Sequence, residues 1–132
     1  MIALDPQNET FVIITEADKQ LDADKQTRFV CRYLTAREES EITDLSEYSP
    51  DGTLKPHNGE RWRRIFNWCV IDIVNLIDKK SEIIVTPQKE VNSEGFLAFP
   101  DSFLSRIPLL VRQEVAQSIQ FRNLITEDDS KN

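Results

Sequence analysis

The chain has 132 residues, 39% hydrophobic and 30% charged, which is enough apolar material for one core and one domain inside a strongly solvated exterior. Its 23 acids exceed its 16 Lys and Arg, and the formal net charge of −7 argues against a dedicated nucleic-acid binder with a basic surface. Residues 1–60 hold 13 acids and 6 bases, whereas residues 61–132 hold 10 of each, so the acidity belongs to the first half.

Thr10–Thr15, TFVIIT, is β-branched and aromatic and reads as a first strand. Glu16–Gln26 is polar, either a long loop or a short helical turn. Arg28–Leu34 alternates with a two-residue period and reads as a second strand. Consecutive strands pair antiparallel as a rule, so the two form a hairpin with a long connection. A hairpin needs a packed face to persist, which the helices must provide. Thr35 and Glu38 then have the spacing of a capping box, in which each side chain accepts from the other's backbone N–H. The helix it opens, Ala36–Glu47, is acidic and docks by a narrow edge. Ser49–Gly59 holds two of the three glycines and two of the six prolines and reads as a linker.

Glu60–Ile77 has the strongest helical pattern. Trp62, Ile65, Phe66, Cys69, Val70, Ile73, Val74 and Ile77 follow i, i+3, i+4, i+7 spacing, with Trp68, Ile71 and Leu76 beside them. That breadth predicts a central core helix or a subunit interface. Ser81–Thr86 is a short strand or an extended loop, and Gln88–Glu94 a polar loop. Gly95–Phe99 is an apolar run, and Asp101 caps a short turn through Ser105. Pro108 suits the first turn of a last helix, to about Arg122. The expected architecture is α+β, a single domain over 1–125 with a polar tail over 126–132. An N-terminal antiparallel β-hairpin or small sheet packs on a mostly helical C-terminal half. The sheet lies on the Glu60–Ile77 helix and the Pro108–Arg122 helix covers the other side.

Catalytic chemistry is sparse. His57 is the one histidine and lies in the linker between Pro56 and Asn58, without the partner a general base needs. Cys31 and Cys69 are 38 positions apart, with no Cys-x-x-Cys pair for a zinc site. They read as two reduced, buried thiols. Three glycines supply no phosphate loop, and the EF-hand spacing is absent. The expectation is a protein without catalysis, cofactor or metal. Met1–Leu4 is too short for a secretory apolar segment, and no window reaches the ~18 apolar residues of a membrane helix. The expected location is therefore the cytoplasm, with no membrane partner.

Two features suit a protein partner. Arg61, Arg63 and Arg64 open the long helix and oppose its macrodipole. They pair with the acidic helix Glu38–Glu47, or they meet an acidic surface on a protein partner or, least of the three, a nucleic acid. The run Gly95–Leu110 contains Phe96, Leu97, Phe99, Phe103 and Leu104, which pack on the long helix or form an assembly surface.

Leu4-Asp5-Pro6, Thr10-Phe11, then Phe29, Arg32, Leu34, Thr35, Arg37 and Glu38 follow the pattern "LDP…TF", spacer, "F-x-x-R-x-L-T-x-R-E". This resembles the tail assembly chaperone class among the small tail-morphogenesis proteins of tailed bacteriophages. The polar end, Leu124–Asn132, is also similar, whereas the linker and the Trp62/Trp68 helix take no part. The resemblance implies a non-enzymatic, acidic, homo-oligomeric assembly factor in the host cytoplasm. Its partner would be a tape measure or tail tube protein, whose apolar helices it covers by helix-in-groove packing. The alternative is a small acidic regulatory or inhibitor protein that acts on a host protein by mimicking nucleic acid.

Overall fold

The computed structural model describes residues 3, 5, 8–56 and 58–124, with backbone only at 46–48 and 54–56. The polar tail over 126–132, His57, and Leu4 and Pro6 of the "LDP" pattern lie outside the described residues.

The first two strands form where their alternation places them. β1 (Thr10–Ile13) pairs antiparallel with β2 (Arg28–Arg32), matching Phe11 to Cys31 and Ile13 to Phe29. These four side chains are buried on one face. The connection contains two single-turn 3-10 helices, Asp18–Gln20 and Ala23–Lys25. Asp18 closes it, its carboxylate accepting from the Thr27 N–H at 2.8 Å.

The capping box forms as the sequence predicts. Thr35 Oγ1 accepts from the Glu38 N–H at 3.2 Å, and Glu38 Oε1 accepts from the Thr35 N–H at 3.0 Å. α1 (Ala36–Thr43) is shorter than expected. Ser46–Tyr48 leaves it as β3 and pairs antiparallel with β4 (Leu54–Pro56). The expected linker is therefore the turn and second arm of a hairpin. Its turn is tied by the Ser49 N–H to the Thr53 carbonyl at 2.8 Å, with Gly52 at φ 86°. α2 (Asn58–Cys69) begins directly after β4.

The main departure from the sequence expectation is the end of α2. The helix stops at Cys69, and Val70–Val74 becomes β5, which pairs antiparallel with β2. The sheet order is β1-β2-β5. Four of the five β5 residues are β-branched, and β2 had a second edge to fill. Between Val30 and Cys31 the register shifts, so Val30 faces Asp72 while Cys31 faces Val70. Ile71 is the extra residue of a bulge. The bulge returns Val70 and Ile73, three residues apart, to the same buried face. An i, i+3 apolar pair thus arises in a strand, and it imitates a helical stripe.

Beyond β5 the chain turns at Asn75, with φ 66°. After a turn in which Glu82 has φ 59° and donates its N–H to the Asp78 carbonyl at 2.9 Å, residues 83–86 take the extended-loop form, joined by one bridge from Ile77 to Ile84 and by the Val85 N–H to the Leu76 carbonyl at 2.6 Å. β6 (Glu90–Val91) pairs with β7 (Leu97–Ala98) and interrupts the expected polar loop. α3 (Asp101–Leu104) is preceded by Pro100, whose carbonyl accepts from Phe103 and Leu104 at 3.0 Å each. Asp101 is thus the first helical residue and not its cap. α4 (Leu109–Leu124) starts just after Pro108.

α4 packs against α2, and its Arg122 guanidinium lies 5.3 Å from the Phe11 ring centroid on the inner sheet face. Both helices therefore sit on one face of the sheet, and α4 does not cover the opposite face as expected. Ile65, Phe66 and Cys69 of α2 and Val115, Ala116 and Ile119 of α4 complete the core with the strands. Both cysteines are buried and free. Burial pushes their thiols up, that of Cys69 to about 12. Among the described residues no helix is long and apolar enough to cross a membrane.

Asn67 is a buried polar residue within this core. Its Oδ1 accepts from the Phe99 N–H at 3.1 Å, and its carbonyl accepts from Lys89 Nζ at 2.7 Å. Asn67 thereby fastens the C-terminal segment to the end of α2. Asn67→Leu leaves the Phe99 N–H without its acceptor. It should cost about 1–3 kcal/mol in urea unfolding. A variant within 0.5 kcal/mol of the parent, to order of magnitude, would remove Asn67 from this role.

Candidate partner-binding cleft

The end of β2 and the start of α1 position one wall of a cleft. Arg32 Nη1 and Nη2 donate to Glu38 Oε1 and Oε2 at 2.8 Å each, and Nη1 also donates to the Tyr33 carbonyl at 2.9 Å. The pair is mostly out of water, at 19% and 16% side-chain exposure. Burial alone would raise the Glu38 carboxyl. The hydrogen bonds from Arg32 and Thr35 outweigh it and hold the group below the usual carboxylate range. One carboxylate thus caps a helix and fixes an arginine.

The opposite wall comes from α2. Arg63 donates through Nε and Nη2 to the two oxygens of Glu60 at 3.0 and 2.8 Å, and Arg64 Nε donates to Glu60 Oε1 at 2.9 Å. The Arg63 guanidinium, joined by Arg64, holds the Glu60 carboxyl down at about 2. The expectation that these arginines pair with the acidic helix after Thr35 is therefore corrected. Glu60 stands three and four residues before them on the same helix face, which is the shortest route to a partner. Arg63 Nη2 also lies 3.7 Å from Glu94. Arg61 lies apart from the cleft, its guanidinium 6.0 Å from the Trp62 ring centroid. Among the described residues its Nε is buried without a hydrogen-bond partner.

Between the walls is a cleft of about 700 Å³ lined by Arg32, Thr35, Arg37, Glu38, Glu41, Arg64, Trp68, Glu94 and Phe96. Trp68 and Phe96 contribute its aromatic surface, edge-to-face at 6.2 Å between centroids. On the rim Arg37 Nε is 3.4 Å from Glu41 Oε1. An apolar strip between positive and negative side chains can recognise an amphipathic segment.

Of the residues singled out in the sequence, Arg64 and Phe96 meet in this cleft, and Arg63 borders it through Glu94. The others disperse. Phe99 and Leu104 are core residues. Phe103 is half-buried and stacks on Phe99 at 5.1 Å, while Leu97 is 56% exposed on β7. Within the Gly95–Leu110 run Ile107 is also buried in the core, whereas Leu109 and Leu110 are 57% and 76% exposed. Leu104 and Arg63 also border a smaller hollow of about 130 Å³ between α2 and α4.

The first-wall residues Arg32, Thr35, Arg37 and Glu38 stand out in the sequence as a strand end, a capping box and part of the "F-x-x-R-x-L-T-x-R-E" pattern, none of which points to a cleft. Trp68 belongs by its spacing to a helical stripe, and Glu94 to a polar loop. The Arg32–Glu38 spacing has no local signature, because it joins a strand to a helix. Among the described residues no group of three or more His, Cys, Asp or Glu side chains is placed to hold a metal ion. No protein-family model matches the chain, and no curated protein or solved structure matches it either.

Proposed function

We propose that this protein is a non-enzymatic assembly factor that holds an amphipathic helix of a protein partner in the α1–α2 cleft. The observation that carries this reading is the Trp68–Phe96 pair set between fixed charges of both signs. A helix seated there would place an apolar anchor on the half-buried Phe96 ring, beside the core residue Trp68, and its polar flanks against Arg37, Glu41 and Glu94. The resemblance of the first 45 residues to tail assembly chaperones supplies the partner class, a phage tape measure protein. The net charge of −7 suits a protein that keeps an apolar client in solution. The inhibitor alternative needs acids that are free and arrayed on one face. Glu38 and Glu60 are instead tied to arginines, which favours the assembly reading.

The test uses tryptophan fluorescence in a Trp62→Phe background, so that Trp68 alone reports. Peptides tiling a tape measure protein from the same phage genome are titrated in. One subset should shift the emission saturably. Phe96→Ala should weaken that binding roughly tenfold or more, the scale of a lost aromatic anchor. If no segment shifts Trp68, or if Phe96→Ala binds equally well, the cleft is not the client site.

A further inference from the structure

We infer that β1 is the dimerisation edge of this protein and that its occupant is a second copy of the chain. This does not rest on the α1–α2 cleft, which lies elsewhere.

β1 is an outer strand of the three-stranded sheet, paired only with β2 among the described residues. An open edge is a template for further pairing, and proteins that stay single blunt it with charge, proline or a bulge. The two edges of this sheet differ in that respect. β5 carries Asp72 at its centre and is bulged, whereas β1 is Thr-Phe-Val-Ile, uncharged and regular throughout. Although only four residues long, β1 is the edge of this sheet left open to pairing.

The surroundings of β1 say which partner. α4 runs alongside it in the opposite sense. Arg122 lies over Phe11 and 3.4 Å from the Tyr33 hydroxyl, whereas Glu114 Oε2 accepts from the Glu16 N–H at 2.8 Å. Between them is a groove of about 470 Å³. Its centre is apolar, with Val12 52% and Phe121 62% exposed. One end is cationic, at Arg122. The other is acidic, with Glu16 and Glu114 against the single Lys19. A two-fold axis through the middle of β1 turns this pattern onto itself. The strand meets its copy antiparallel, the apolar centres meet, and Arg122 of each copy meets the acidic end of the other. The two sheets then join into one of six strands.

Sedimentation equilibrium of the full chain over a wide concentration range tests this. The parent should be a dimer. Val12→Lys places a charge on the outward side of the edge and should raise the dimer dissociation constant at least roughly tenfold, with the thermal midpoint of the monomer retained. Phe121→Glu serves as the second probe should Val12→Lys fail to fold. Arg122→Glu should weaken the dimer, and adding Glu16→Arg should restore it, which a merely structural arginine would not do. A parent that remains monomeric up to about 0.5 mM overturns the proposal. So does a dimer that is indifferent to both Val12→Lys and Phe121→Glu. If the parent is monomeric and a variant lacking 125–132 dimerises, the groove belongs to the chain's own C-terminal end, which also overturns it.

Discussion

Phe66→Ala is expected to lower stability by about 3–5 kcal/mol, the largest effect of any single truncation in this core. Phe66 is 1% exposed, and its ring is the meeting point of three parts of the chain. The Phe29 ring of β2 lies 6.0 Å away, edge-to-face, and the Phe99 ring beyond β7 also lies 6.0 Å away, tilted. The three rings join the sheet, α2 and the C-terminal segment. Their backbones belong to separately anchored elements, so the void left by alanine cannot close by a small local shift. Domains of this size are commonly stable by only ~5–15 kcal/mol, so a substantial unfolded fraction in mild urea should follow. Urea titration of Phe66→Ala and Phe66→Leu separates the contributions. Leucine refills part of the volume and should recover about half of the loss. A loss below roughly 1 kcal/mol for alanine would mean that the aromatic cluster does not hold the elements together.

Glu38→Ala should have the second-largest effect, about 2–4 kcal/mol. The substitution removes one half of the capping box and leaves the N–H of Thr35 without its acceptor. It also leaves Arg32, which is only 19% exposed, without its bidentate carboxylate. Glu38→Gln keeps an oxygen for Thr35 while it removes the charge, and should cost less. If the two substitutions cost the same, the cap contributes nothing and the loss of the charge pair accounts for the whole effect.

The same pair predicts a pH dependence. The carboxyls of Glu38 and Glu60 are both held below the value of an unfolded glutamate, about 4.3. Groups lowered in this way contribute stability that is fully present above the unfolded value. It is lost as pH falls through the folded one, which for Glu60 is about 2. The free energy of unfolding should therefore decline from about pH 4.5 towards pH 2. In the Glu38→Gln, Glu60→Gln double variant that decline should be visibly shallower. A double variant with the parent's acid profile would show that other groups control acid unfolding.

The α+β class, the first two strands, the capping box and the start of the last helix were legible in the sequence because each rests on local chemistry. A two-residue alternation, a Thr–Glu pair three apart and a proline before an apolar run act over a few residues, and they act the same way in any fold. The boundary at Cys69 is of another kind. Val70–Val74 fits a helix stripe by its spacing and a strand by its β-branching, and only the vacant edge of β2 selects the strand. The bulge at Ile71 then places Val70 and Ile73 on one side and hides the choice from any periodicity.

The candidate sites divide along the same line. Glu60 takes Arg63 and Arg64 by helix spacing, which the sequence contains, although the acidic stretch after Thr35 looked the richer partner. The cleft joins Arg32 to Glu38, Trp68 to Phe96, and α1 to α2, contacts that exist only once the sheet has brought separate elements together. The burial of Phe99 and Leu104, against the exposure of Leu97 within the same run, was likewise decided by tertiary packing. By itself the sequence determined the class of fold and the places where elements begin. The tertiary structure decided which neighbours they meet, because packing and charge pairing act across space between residues whose separation along the chain carries no signal.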